Sequence, residues 1–199
     1  MGRRPDPGRR QDLLRATASY LEEHGLAGLS LRPLAAALGV SPRTLLYHFG
    51  SKERLLAEAL EASPALRAAV EEFTFSDEPL FQRARRLWAR TAEPRSRPYL
   101  RLFFEVYAAA LREPVRYEAF LSTVVHRWLR VLKPMLEAEG LPASTATELL
   151  ALHHGCALDL LATGERRRVT GAYHVRLDEL EAKAARRRRG GAGRSRRRS

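Results

Sequence analysis

The chain has 199 residues, a formal net charge of +12 and a single cysteine, Cys156. This length is sufficient to bury a sizeable hydrophobic core, while one cysteine excludes a framework of disulfide bonds and is typical of a reducing compartment. The N-terminal residues carry charge with no apolar run behind them, so the sequence predicts no signal peptide, no contact with a membrane and a cytoplasmic location.

Apolar residues recur with helical spacing along most of the chain. No useful stretch alternates apolar and polar residues as a half-buried strand does, so the sequence predicts an all-α fold. The first helix should cover about residues 8–24, and Gly25 is placed to end it.

Three serines mark the starts of the next three helices. A serine side chain can accept a hydrogen bond from the backbone of the first turn, and Ser30, Ser41 and Ser51 each precede a helical pattern. Pro42 would occupy the first helical position, where its missing N–H costs nothing. Gly39 lies between the second and third helices and can adopt a turn conformation that a side chain would oppose.

These two short helices and their four-residue connection have the spacing of a helix-turn-helix. At 100° per residue, the third helix should direct Leu45 and Phe49 inward. Arg43, Thr44 and Tyr47 should then point outward, where an arginine can reach a guanine edge and a hydroxyl can reach a phosphate. The sequence therefore predicts a DNA-reading helix.

The stretch Gly39-Val40-Ser41-Pro42-Arg43-Thr44-Leu45-Leu46-Tyr47-His48-Phe49-Gly50-Ser51-Lys52-Glu53, together with the segment from His24 to Arg32, resembles the tetracycline-repressor (TetR-type) family of bacterial regulators. The resemblance covers roughly residues 9–69. It implies an all-helical homodimer with an N-terminal DNA reader, whose C-terminal body binds a small effector and releases the DNA.

The resemblance also assigns roles to single residues. It places Arg43, Thr44, Tyr47, His48 and Lys52 where the family makes base and phosphate contacts. The predicted DNA-binding residues are these five together with Arg32, Ser41, Pro42 and Leu46. Leu46 departs from the family pattern, since many members have a tyrosine there, and an apolar contact with a thymine methyl group becomes an alternative. His48 can pack against the second helix or lie on a phosphate.

Beyond residue 63 the apolar spacing predicts further helices near 64–75, 79–92, 95–112, 114–139, 144–163 and 171–188. Pro134 should kink the fourth of these. The predicted domains are a disordered basic arm (1–8), the helix-turn-helix domain (9–69), a helical effector-binding and dimerisation domain (70–188) and a disordered arginine-rich tail (189–199).

Ten aromatic residues fall between positions 75 and 128. Such residues either fill the core of a helical body or line a pocket between its helices. The residues predicted to line an effector pocket are Trp88, Phe103, Phe104, Glu105, Tyr107, His126 and Trp128. No cofactor is expected.

Motifs of catalysis and metal binding are lacking, so the sequence predicts no enzyme and no metal site. His153 and His154 are adjacent and diverge by about 100° on a helix, which favours buried or interfacial histidines over a pair of ligands. Cys156 lies in an apolar stretch and is interpreted as inert core.

The positive charge is concentrated at the C-terminus, where residues 186–199 hold eight arginines and no acid. This run is either a solvated extension or an auxiliary DNA contact without sequence preference. The predicted partners are an operator in double-stranded DNA, an unidentified small-molecule effector and a second copy of the chain, paired through residues 144–185.

The predicted function is a sequence-specific transcriptional regulator, a repressor that a small-molecule effector releases from a palindromic operator. The alternative function is a nonspecific or architectural DNA-binding protein, which needs charge but no shaped reading helix.

Overall fold

The structure is a computed structural model, and it describes residues 7–24, 29–62 and 64–195. Within these ranges the chain forms α-helices and short turns, without a strand. The prediction of an all-α fold with an N-terminal helix-turn-helix followed by a helical C-terminal domain is confirmed. No helix in the described part of the chain combines the length and the apolar character needed to cross a bilayer.

The described ranges contain eleven α-helices: α1 (Pro7–His24), α2 (Leu31–Ala37), α3 (Pro42–Phe49), α4 (Lys52–Ala62), α5 (Pro64–Phe75), α6 (Leu80–Thr91), α7 (Arg97–Arg112), α8 (Glu118–Leu121), α9 (Trp128–Ala138), α10 (Ser144–Thr163) and α11 (Arg166–Ser195). A 3-10 turn covers Pro94–Ser96 and a π-helical turn covers Ser122–Arg127. Gly25, the predicted stop of the first helix, lies outside the described residues.

The helix predicted over 114–139 starts later than expected, because residues 114–117 form a turn. From Glu118 to Ala138 the chain is continuously helical, and α8 and α9 are joined by the π-helical turn. Tyr117, at the end of the turn, and Phe120 of α8 are both buried. Pro134 lies inside α9, which continues past it to Ala138.

Helix α11 is longer than the predicted 171–188 at both ends. Its buried stripe is formed by Val169, Tyr173, Leu177, Leu180 and Ala184, so the helix extends to the N-terminal side of Gly171. It also continues to Ser195, whereas the sequence predicts a disordered tail from residue 189. The remaining tail residues, like residues 1–6 of the predicted arm, lie outside the described part of the chain.

The chain divides into two compact units. The first contains residues 1–70 and 95–123, and its described part comprises α1 to α4, the start of α5, α7 and α8. Helix α4 is central to this unit, since it packs against α1, α3, α7 and α8. The helices of the helix-turn-helix domain therefore share their core with α7 and α8, which lie beyond the predicted boundary at residue 69.

The second unit contains residues 71–94 and 124–199. In it α6 packs against α11, and α10 packs against both α9 and α11. Trp88 of α6 is fully buried and its ring stacks on Tyr173 of α11, with 4.5 Å between the ring centroids. Arg85 of α6 pairs with Asp178 and Glu181 on the same helix α11.

Candidate nucleic-acid interface

The turn between α2 and α3 closes with hydrogen bonds that end α2. Gly39 has a φ of +64°, and its N–H donates to the Ala36 carbonyl over 3.1 Å. The Val40 N–H reaches further back, to the Ala35 carbonyl at 2.9 Å. Because glycine adopts this left-handed conformation without steric cost, the turn directs the chain from α2 into α3.

Ser41 caps α3, as the sequence predicts. Its Oγ accepts the backbone N–H of Thr44 at 3.0 Å and also lies 2.8 Å from the Thr44 hydroxyl. Pro42 follows at the first helical position. The two hydroxyls hold each other at the N-terminal end of α3, so this end is shaped before any ligand arrives.

The outward face of α3 agrees with the predicted orientation. Leu45 and Phe49 are buried, whereas Arg43 is exposed. Leu46 is 42% exposed and Tyr47 is 53% exposed, so two large side chains that are neighbours in sequence are both accessible on α3. The helix thus presents a guanidinium, an isobutyl group and a phenol on one accessible surface.

Arg10 of α1 holds the other side of α3. Its Nε donates to the His48 carbonyl at 3.2 Å, its guanidinium pairs with the Glu58 carboxylate of α4, and its Cζ lies 4.7 Å from the centre of the Phe49 ring. These contacts tie α1, α3 and α4 together. Helical periodicity alone does not reveal them, because Arg10 and Glu58 are 48 residues apart in sequence.

His48 lies half-buried at the end of α3. Its Nδ1 is buried and has no hydrogen-bond partner in the described part of the structure, while the ring meets Tyr47 edge-on with 5.3 Å between centroids. Of the two neutral tautomers, the one with its proton on Nε2 is therefore favoured, because a buried N–H without an acceptor is costly.

Lys52 and Arg32 flank the reading helix. The Lys52 ammonium, in the first turn of α4, donates to the Leu29 carbonyl that precedes α2. Arg32 is exposed in the first turn of α2. Each carries positive charge beside α3, and the DNA contact of each residue in this surface stays a prediction.

The residues predicted to line an effector pocket fall into two groups. Phe103, Phe104, Glu105 and Tyr107 lie on α7 in the first unit. Phe103 is central there, with the Phe104 ring 5.1 Å away and the Phe120 ring of α8 5.9 Å away.

Trp88, His126 and Trp128 belong to the second unit. Trp88 is core, His126 is exposed, and Trp128 meets Phe73 edge-on at 5.5 Å. The sequence alone does not separate these two groups, because both lie in one aromatic-rich stretch of the chain.

His153 belongs to a polar cluster inside the second unit. The sequence predicts a buried or interfacial histidine at this position but does not reveal its partners. The Thr91 hydroxyl donates to the Leu87 carbonyl at 2.9 Å, so it accepts from His153 Nε2 at 3.2 Å. Nδ1 then accepts from the Tyr173 hydroxyl at 3.4 Å. Burial lowers the pKa of His153 to about 3, and burial also lowers the pKa of His154 to about 4.

Cys156 is half-buried, and burial raises the pKa of its thiol, which disfavours the reactive thiolate. Among the described residues, no cluster of histidine, cysteine, aspartate and glutamate has the geometry to hold a metal ion.

Comparison with known proteins identifies the N-terminal helices. Residues 13–59 match the family model described as bacterial regulatory proteins of the tetR family. This segment spans most of α1, all of α2 and α3, and most of α4. No curated protein sequence matches the chain.

Solved structures resemble most of the chain. A TetR-family transcriptional regulator from Rhodococcus sp. matches with a TM-score of 0.71 and 23% identity, covering 87% of this chain and 99% of that one. The multidrug binding protein EbrR, complexed with imidazole, matches with a TM-score of 0.66 and 29% identity over 89% of this chain and 93% of its own. A transcriptional regulator from Streptomyces coelicolor A3(2) matches with a TM-score of 0.62 and 26% identity over 86% and 98% of the two chains.

The family model covers the capped helix-turn-helix described above, and the solved structures share the fold of most of the chain. The chain is therefore similar to bacterial regulatory proteins of the tetR family in residues 13–59, and it shares its fold with solved transcriptional regulators.

Proposed function

We propose that this chain is a sequence-specific repressor of transcription, which binds a near-palindromic operator as a homodimer and leaves it when a small molecule binds. The observation that carries the proposal is the outward face of α3, where Arg43, Leu46 and Tyr47 are accessible on a helix fixed from behind by Arg10. A helix of this kind fits the major groove, which is about 12 Å wide.

The charge around α3 suits DNA. Arg43 can place its planar fork on a guanine edge, and Arg32 and Lys52 lie beside it as phosphate contacts. A nonspecific binder requires only charge, whereas Ser41 and Gly39 build a defined entry to the helix. The shaped turn supports sequence reading over the architectural alternative.

Dimerisation through α10 and α11 is supported by apolar residues that the protomer leaves uncovered. Leu149, Ala157, Leu177 and Leu180 are buried within the protomer and are not available to a partner. The exposed members of the predicted interface are Leu158, at 50%, and Val175, at 60%. Large exposed aliphatic residues on two paired helices favour a two-fold contact with a second copy.

An aromatic effector is supported by the cluster around Phe103 and by EbrR, which was crystallised with ethidium and with proflavin. Helix α7 carries the cluster and packs against α1 and α4, which flank the reading helix. A planar molecule inserted beside Phe103 would displace α7 from α4, and this would change the position of α3. The effector class proposed is therefore a flat aromatic compound.

Selection from random double-stranded DNA with the full chain tests the DNA-binding part of this proposal. We expect enrichment of a near-palindrome and a difference of at least about 1000-fold between its affinity and that for random DNA at the same salt concentration. Equal affinity for both DNAs, with equally steep salt dependence, would instead support the architectural function.

Binding of proflavin to the protein without DNA tests the effector part, because proflavin also binds duplex DNA directly. We expect proflavin fluorescence to change on binding and Phe104→Ala to weaken this binding. Phe75→Ala is the matched control, since Phe75 is highly exposed at the end of α5. Equal affinity of all three proteins would contradict the placement of the effector beside Phe103.

A further inference from the structure

Leu46 is an apolar side chain on the accessible face of α3, the face that the proposed function places against DNA. It is 42% exposed, while Leu45, its neighbour in sequence, is fully buried. Leu46 therefore does not complete the core of the first unit, and it has no hydrogen-bonding group to offer a phosphate. A ligand that matches it must present an apolar group of its own.

The position of Leu46 relative to Arg43 is fixed by the helix. Arg43 and Leu46 are three residues apart on α3. Their side chains therefore point in directions about 60° apart and start about 4.5 Å apart along the helix axis. Base pairs of B-form DNA are stacked about 3.4 Å apart. The two side chains thus face positions one or two base pairs apart.

The edges of the bases offer few apolar groups in the major groove. Guanine presents N7 and O6, cytosine an amino group and adenine N7 with an amino group, whereas thymine presents a C5 methyl group. An isobutyl group that faced any of the polar edges would leave them without hydrogen bonds. The thymine methyl group is the apolar surface that fits Leu46.

We propose that Leu46 determines specificity by contacting the C5 methyl group of a thymine, one or two base pairs from the guanine that Arg43 reads. This inference rests on the proposed function, since it requires that α3 lies in the major groove of an operator. Arg43 and Leu46 together then select a guanine and a thymine in each half-site.

Replacement of single thymines by deoxyuridine tests this contact, because it removes only the methyl group. In the selected operator, we expect one thymine per half-site at which this replacement weakens binding about fourfold. This factor corresponds to about 0.8 kcal/mol, the free energy gained by burying one methyl group. Replacing both symmetry-related thymines should weaken binding about 16-fold. The sensitive thymine should lie within two base pairs of the guanine at which Arg43→Ala relaxes the base preference.

The Leu46→Ala variant should bind the thymine and deoxyuridine operators with equal affinity. Leu46→Met, which keeps an apolar side chain of similar length, should retain most of the discrimination. Leu111→Ala is the matched control, because Leu111 is an exposed leucine of the same unit outside the helix-turn-helix. It should leave the fourfold ratio unchanged.

The outcomes separate the inference from the proposed function. If no operator is enriched, the proposed function fails. If an operator is enriched but no thymine methyl affects binding, or if Leu46→Ala keeps the fourfold ratio, the proposed function stands and the role of Leu46 is wrong.

Discussion

Arg43 and Lys52 carry the same charge but have different surroundings. Arg43 is exposed on the outward face of α3, while Lys52 is half-buried and already donates to the Leu29 carbonyl. The planar guanidinium can pair with a base edge, whereas the ammonium acts as a point charge toward phosphate. The two side chains should therefore affect DNA binding in different ways.

We predict that Arg43→Ala weakens operator binding by about 1–3 kcal/mol and relaxes the preference at one position per half-site. Lys52→Ala should weaken binding to all sequences alike and make the salt dependence shallower by about one unit per half-site. Titrations of operator variants at several salt concentrations measure both effects. A uniform loss across all variants for Arg43→Ala would make Arg43 a backbone contact as well.

His153, which is half-buried beside the Trp88 and Tyr173 rings, makes stability depend on pH. Its pKa is lowered from the ordinary value of 6.5 to about 3, so the folded state disfavours the protonated ring. Its contribution to stability is fully present above pH 6.5 and is lost as pH falls toward 3. Each pH unit between these values should cost up to about 1.4 kcal/mol.

His153→Gln should reduce this dependence, since glutamine can donate and accept hydrogen bonds but does not become charged. His154, whose pKa burial also lowers, should account for part of the remaining dependence. Denaturant unfolding at pH 7.5, 6.5 and 5.5 measures the slope, and His126→Gln serves as control because His126 is exposed in the same unit. A slope unchanged by His153→Gln would show that other groups dominate in this range.

At the scale of single helices, the N-caps of α2 and α3 form a natural comparison. Ser41 accepts the Thr44 N–H, while Ser30 occupies the N-cap position of α2 without a side-chain hydrogen bond. Ser41→Ala should lower the free energy of unfolding by about 1 kcal/mol, and Ser30→Ala by less than about 0.5 kcal/mol. Denaturant titration measures both losses in the free energy of unfolding. If the two losses are equal, the hydrogen bond from the Thr44 N–H to Ser41 does not stabilise α3.

Strong local signals explain which helices the sequence predicts well. The starts of α2, α3 and α4 follow serines, and the turn after α2 requires a glycine, so these boundaries are encoded within a few residues. The start of α11 is not encoded locally. Gly171 suggests a break in the helix, whereas the burial of Val169 and Tyr173 favours a helix on both sides of this glycine. A single glycine in a helix costs only about 1 kcal/mol, which such burial can offset.

The reading face of α3 is also predictable from the sequence, because it depends only on helical rotation. The Arg10 contacts and the His153 cluster are not, since they join residues distant in sequence. The shared core of α7 with α1 and α4 is likewise set by tertiary packing, which no local pattern reports.

For the whole molecule, the exposed aliphatic residues of α10 and α11 predict assembly. Leu158→Glu combined with Val175→Glu should give monomers by sedimentation at micromolar concentration, because the charges would be buried in the interface. Operator affinity should fall by at least about 100-fold, as one helix-turn-helix reads only a few base pairs. Val115→Glu, at a highly exposed site of the first unit, should change neither. A wild-type monomer would refute the dimer.

The arginine-rich end of the chain should add affinity without specificity. Removing residues 190–199 deletes four arginines but keeps Arg187 and Arg188, which contact Gly140 and Glu139. Operator binding should weaken and its salt dependence should become shallower, while the selected sequence stays the same. A changed sequence preference would show that the tail reads bases or groove width.

The packing of α7 and α8 on α4 has an evolutionary consequence. Chimeric regulators that exchange only the first 69 residues between relatives would join an α4 from one parent to an α7 and α8 from the other. Helices α7 and α8 would then pack against an α4 that was not selected with them. New pairings of operator and effector should therefore arise more readily through substitutions on the outward face of α3 than by recombination at residue 69.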